Sequence, residues 1–138
     1  MDVKRINDHI SVSGQIAPED IAALKAQGYT TIINNRPDDE APDQPAAAEI
    51  EAAATAAGLA YHHIPLGRTG VTAEMVEQTK AALAQSQGPV FAFCRSGTRS
   101  TTLWALSQAG EMEAGDIIGQ AARAGYDLSH LAGHLGQK

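Results

Sequence analysis

The sequence predicts an α/β fold, three layers deep, with a mostly parallel central sheet of about four to five strands and helices on both faces. Two observations carry this. Three helical patterns end on a glycine (Gly28, Gly58 and Gly88), and a short strand-like run follows each; such units are crossovers, which join parallel strands. The last of these runs, "PVFAF", is apolar throughout, as expected of a strand covered on both faces.

The elements follow in order. "HISVSG" near the start is a candidate strand. "PEDIAALKAQG" places Ile21, Leu24, Ala22 and Ala26 at helical spacing, with Ala17 and Pro18 at its start and Gly28 past its end. "YTTIINN" is rich in β-branched residues and reads as a strand. The next helix is "QPAAAEIEAAATAAG", with Ile50, Ala53, Ala54 and Ala57 on one face and Gly58 as its stop. "LAYHHIPL" is the next strand. In "TAEMVEQTKAALAQSQG", Met75, Val76, Ala82 and Leu83 form the apolar face, Thr72 is the expected cap, and Gly88 lies beyond the end. After "PVFAF" come a helix over "RSTTLWALSQAG", ended by Gly110, and further helices over "AGDIIGQAARAGY" and "SHLAGHLG". The loop "RPDDEAPDQP" (36–45) is acidic and proline-rich, and is expected to be solvated. With 138 residues and neither repeats nor a composition break, one domain over 1–138 is expected.

Composition narrows the function classes. Hydrophobic residues at 43% and charged residues at 19% fit an ordinary globular chain rather than a disordered one. A net charge of −6 argues against nucleic-acid binding and against adhesion to an anionic membrane, both of which need a basic face. No apolar run reaches the ~18–20 residues of a membrane span, and "MDVKRINDHI" lacks the apolar region of a secretory leader. A single cysteine makes no internal disulfide, and no Cys/His cluster has zinc spacing. The expectation is a reduced, cytoplasmic protein with no metal and no cofactor.

That cysteine, Cys94, stands at the carboxyl end of the apolar strand, where ligands bind in open α/β sheets. Free cysteines are commonly buried packing residues. Here, however, Arg95, Ser96, Gly97, Thr98 and Arg99 form a polar turn of mostly small residues that leads into a helix. Such a turn can aim consecutive N–H groups inward as an anion nest, reinforced by the positive helix end. A nest of this kind favours the thiolate, which is the nucleophile. Gly97 supplies a turn conformation with positive φ, Arg99 can fork onto an anion, and Ser100 either caps the helix or offers its hydroxyl to the thiolate.

Strand–Cys–loop–Arg–helix resembles two superfamilies, the cysteine-dependent phosphatases and the rhodanese sulfurtransferases. Four residues separate Cys94 from Arg99 in "CRSGTR", one fewer than in the phosphatases and similar to the rhodanese loop. The rest of the chain looks like a small dual-specificity phosphatase, and the "GHIPGA" segment typical of rhodaneses is missing. With "SGQ", "IINNRPD", "QP", "HIP" and "FCRSGTRS", the chain resembles the beta-lactamase hydrolase-like, phosphatase-like domain family. Members of that family are often described as candidate sulfur transferases, and some are fused to a metallo-β-lactamase-fold persulfide dioxygenase domain. The resemblance implies a cysteine-phosphatase-like fold with Cys94 and Arg99 as catalytic residues.

The leaving group separates the two chemistries. A phosphatase expels an alkoxide or phenoxide and needs a general acid, worth roughly 10²–10⁴-fold. In the phosphatases an Asp supplies it from the loop matching "GRTGVT" here, which holds Gly67, Arg68, Thr69 and Gly70 but no carboxylate. Sulfite or a thiolate leaves without such help, and Arg68, Arg95 and Arg99 could gather the anions. The expectation is therefore a sulfurtransferase that forms a persulfide at Cys94. It would draw sulfur from thiosulfate or a small persulfide, a small anionic donor, and pass it to a thiol acceptor. A metallo-β-lactamase-fold persulfide dioxygenase acting in trans is the partner that the family's fusions imply. A phosphatase working through a phosphocysteine is the alternative, with Asp38, Asp39, Glu40 or Asp43 folded over the site as its acid. A retired anion-binding module is the third reading. Among lesser candidates, His62 and His63 point to opposite strand faces, and Arg36 is expected to pair with the acidic loop.

Overall fold

The computed structural model describes residues 1–135. Five strands form one sheet: β1 (Lys4–Arg5), β2 (Ile10–Ser13), β3 (Thr31–Asn34), β4 (Ala60–His63) and β5 (Val90–Phe93), in the order β1-β2-β5-β3-β4. Only the β1–β2 pairing is antiparallel. Between the strands run α1 (Ile21–Ala26, entered through a 3₁₀ turn at Pro18–Asp20), α2 (Ala47–Ala56) and α3 (Ala73–Gln85). After β5 come α4 (Thr98–Ser107), α5 (Ala114–Arg123), a 3₁₀ turn at Ser129–Leu131 and α6 (Ala132–Leu135). The helix expected over "SHLAGHLG" is thus short, and its final Gly136 lies outside the described residues.

The alternation of side chains along β5 explains the three layers. Phe91 and Phe93 face one side, where they pack with Ile21 and Leu24 of α1 and with Ile50 and Ala54 of α2. Val90 and Ala92 face the other side, with Ala82 of α3, Leu103 and Trp104 of α4, and Ile117 and Ala121 of α5. All four residues of β5 are buried, so its polar backbone is satisfied only by neighbouring strands, β2 on one flank and β3 on the other. The helix stops are as read: Gly28, Gly58 and Gly110 have positive φ just beyond α1, α2 and α4. Thr72 caps α3, its Oγ1 accepting from the Met75 N–H at 3.2 Å. The two-residue β1 is the one strand that the sequence pattern does not announce. No helix among the described residues is long and apolar enough to cross a membrane.

Candidate active site

Cys94 follows β5 at the carboxyl edge of the sheet, between two parallel neighbours. Its N–H donates to the Ser13 carbonyl (3.3 Å), and the carbonyl of the preceding Phe93 accepts from the Asn35 N–H (2.8 Å). The side chain is fully buried. Beyond it the chain turns through exposed Arg95 and Ser96 to Gly97, whose N–H donates to Cys94 Sγ at 3.1 Å. This is the expected cradle contact, and Gly97 makes it at φ 92° while serving as the N-cap of α4. The Gly97 carbonyl accepts from both the N–H and the Oγ1–H of Thr101 (3.0 and 2.8 Å). The N–H groups of Thr98, Arg99 and Ser100 open the helix and have no intrahelical acceptor.

Gly97 corrects the expectation for Ser100 as a cap. Ser100 sits one turn inside the helix, where its Oγ cannot reach the orphan amides as a cap does. Its hydroxyl is buried and has no hydrogen-bond partner among the described residues. Thr98 is exposed, its Oγ1 3.3 Å from the Ser96 hydroxyl. Arg68 is exposed, and no ion pair or side-chain hydrogen bond among the described residues ties it to the cysteine loop.

Arg99 is held from outside the loop. Its Nη1 donates to Glu40 Oε2 (2.9 Å) and to the Leu66 carbonyl (2.8 Å), and its Nη2 donates to Glu40 Oε1 (2.9 Å). A guanidinium has five N–H bonds. With three of them taken, the Nε–H and one Nη2–H remain along a single edge, without an acceptor among the described residues. Glu40, and then the charge at Cys94, raise the Arg99 pKa above its usual value against the opposing effect of burial. Glu40 is also bound by Arg36, whose Nε donates to Oε1 at 2.9 Å. Arg36 itself is buried and donates through Nη1 to Gln15 Oε1 (3.0 Å). Together the two arginines hold the Glu40 carboxyl at about 2, with the Arg99 hydrogen bond the largest cause.

The acidic loop is therefore not simply solvated, which corrects that expectation. It folds on its own hydrogen bonds: Asp38 Oδ1 accepts from the Ala47 N–H (2.7 Å), and Gln44 Nε2 donates to the Pro37 carbonyl (2.8 Å). Those bonds set Glu40 over Arg99. The expected pairing of Arg36 with this loop is present. His63 is exposed, and its Nε2 lies 3.0 Å from the Arg36 carbonyl; no polar contact among the described residues joins either His62 or His63 to Cys94.

Two residues that the sequence does not assign to the site, Tyr126 and Gly14, complete the surroundings. The Tyr126 hydroxyl donates to the Ser96 carbonyl (3.0 Å) and crowds Gly97 so closely that a Cβ there would lie 2.1 Å from it. Burial and then the charge at Cys94 raise its phenol above the usual value. Gly14, just after β2, packs beneath the loop, where a Cβ would meet the Arg95 carbonyl at 2.8 Å.

The family described as beta-lactamase hydrolase-like protein, phosphatase-like domain, matches residues 2–111. The chain is 38% identical over 130 residues to the beta-lactamase hydrolase-like protein of Agrobacterium fabrum, and 36% identical to that of Xylella fastidiosa. Each match covers 93% of this chain and 30% of the relative, so the chain spans under a third of those proteins. Among solved structures, a candidate phosphatase of Neisseria meningitidis superposes with a TM-score of 0.82 at 34% identity, covering 98% of this chain and 96% of that one. PTPMT1 in complex with PI(5)P gives 0.74 at 16% identity over 99% and 93%, a likeness of fold.

Proposed function

The chain belongs to that family, and on this premise we propose that it is a cysteine-dependent phosphatase domain. The single observation behind the proposal is a sulfur that accepts the Gly97 N–H at the start of a helix whose first turn carries Arg99, fixed by Glu40 and the Leu66 carbonyl. The Cys94 thiolate attacks phosphorus, the S–P bond forms, and the P–O bond to the leaving group breaks. The free edge of Arg99 and the open N–H groups of α4 receive the phosphoryl oxygens, whose charge spreads as the transfer proceeds. Water then attacks phosphorus, the P–S bond breaks to return the thiolate, and both protons of the water leave with the released phosphate. Glu40 is a positioning residue: by occupying the far edge of Arg99 it fixes the plane in which the near edge meets substrate.

Sulfur transfer is the second reading, favoured by the acid-free loop after β4 and the short spacing from Cys94 to Arg99. It uses the same nucleophile with a small anionic sulfur donor and a thiol acceptor. One experiment separates the two. Intact mass spectrometry after rapid quench with an activated aryl phosphate should show one added phosphoryl group, absent in Cys94→Ser. A gain of one sulfur from thiosulfate or glutathione persulfide, without phosphorylation, would reverse the order. Neither adduct would leave an anion-binding module.

A further inference from the structure

We infer that the site turns over phosphoryl donors whose leaving group departs as a stable anion without taking a proton: acyl phosphates, phosphoanhydrides and phosphates of acidic phenols. The inference rests on the phosphatase reading above and names its substrate class.

When the P–O bond breaks, its electron pair goes to the leaving oxygen. An alkoxide needs a proton at that moment, and a positioned acid must hold one. The loop between β4 and α3, Leu66 to Thr72, has no carboxyl group. Glu74, the first acid beyond it, lies exposed in the first turn of α3, where it complements the helix dipole.

Glu40 is the carboxylate that touches Arg99, and its geometry disqualifies it as a proton donor. Oε1 accepts from Arg99 Nη2 and Arg36 Nε, while Oε2 accepts from Arg99 Nη1. Both oxygens face charged N–H donors, so a proton on either would displace a charge-assisted bond. The depressed Glu40 pKa agrees with this. Tyr126 aims its proton at the Ser96 carbonyl rather than at the cradle, and its phenol is a weaker acid than usual.

Of the other acids in the acidic loop, Asp38 accepts from the Ala47 N–H, and Asp39 and Asp43 are exposed, with no polar contact to the cysteine loop among the described residues. Arg36 and Arg99 carry two positive charges, which offset those of Glu40 and of the Cys94 thiolate. Such a site stabilises an anion that is already forming, and it does nothing for an oxygen that must be protonated. Carboxylate, phosphate and nitrophenolate leaving groups meet that condition; alcohols do not.

The test is a leaving-group series on the full chain: dinitrophenyl, nitrophenyl and phenyl phosphates, acetyl phosphate, and a simple alkyl phosphate. We expect kcat/KM to fall by at least ~10²–10⁴-fold from the most to the least acidic phenol, the factor a general acid would otherwise supply. The alkyl ester should not turn over, and the alkaline limb of the pH profile should show no loss of an acid. Glu40→Gln should lower turnover of every ester by a similar factor, and Glu40→Asp should restore part of it. A flat series would overturn this inference alone, as would a Glu40→Gln loss that grows as the leaving group becomes more basic. No release from even the dinitrophenyl ester, with no phosphocysteine trapped, would overturn the phosphatase reading together with it.

Discussion

Gly97→Ala tests the geometry of the loop most directly. Gly97 has φ 92°, a region that costs an L-residue about 1–2 kcal/mol. A Cβ at that position would lie 2.1 Å from the Tyr126 hydroxyl oxygen and 3.0 Å from its Cζ. The ring must withdraw, which breaks the bond from Tyr126 to the Ser96 carbonyl, worth about 0.5–1.5 kcal/mol. Alanine also stiffens the unfolded chain, which offsets about 0.4–1 kcal/mol. The net expectation is a loss of about 1–3 kcal/mol. Urea titration followed by tryptophan fluorescence measures it cleanly, because Trp104 is the only tryptophan and is buried in the helix that Gly97 caps. The double variant is the sharper check. Tyr126→Phe removes the atom at 2.1 Å but not the backbone strain, so Gly97→Ala should cost about 1 kcal/mol less in that background. Equal costs in the two backgrounds, or no cost at all, would refute the packing of Tyr126 on the loop.

Glu40 makes stability depend on acid. Its folded pKa, about 2, lies below the ordinary 4.5. Its pairing therefore stabilises fully above the higher value and is lost as pH falls through the lower one. With its side chain 28% exposed and partly screened, a contribution of about 1–2 kcal/mol near neutral pH is expected. The stability gap between the parent and Glu40→Gln should close on acidification, and a constant gap would contradict the pairing. Ser100→Ala removes a buried hydroxyl that has no partner, so stability should hold or rise by up to about 1 kcal/mol; a larger loss in urea titration would reveal a bond. Gly14→Ala forces a Cβ against the Arg95 carbonyl, a backbone atom that cannot swing aside. Overpacking of about 1–3 kcal/mol, with reduced aryl phosphatase turnover, is expected, and an unchanged variant would count against that close approach.

Local chemistry made much of this molecule readable from its sequence. The glycine stops, the Thr72 cap and the all-apolar "PVFAF" are nearest-neighbour effects, and they placed Cys94 at the end of the central strand. What escaped was long-range. Glu40 lies 59 residues from Arg99, and composition distinguishes a solvated acidic loop from a folded one only if the bonds from Asp38 to Ala47 and from Gln44 to Pro37 are known. Tyr126 reaches back 30 residues to the loop from a segment that reads simply as the end of α5. Of the two roles the sequence leaves open for Ser100, the cap falls to Gly97, because a glycine in the left-handed conformation can begin a helix without any side-chain acceptor. The likeness to rhodaneses rests on the short loop, whereas the fold as a whole is like that of a candidate phosphatase of Neisseria meningitidis and of PTPMT1.

The two halves of the site are anchored very differently. The backbone beneath the sulfur is stitched into both flanking strands, through Ser13 on one side and Asn35 on the other. Two of the three bonds that hold the guanidinium come from a side chain of a surface loop, Glu40, and the third from the Leu66 carbonyl. Amide exchange should thus be slowest at Cys94 and far faster across residues 38–44. On warming, the arginine would lose its aim while the sheet is still intact, and turnover would fade at temperatures where spectroscopy still reports a native domain.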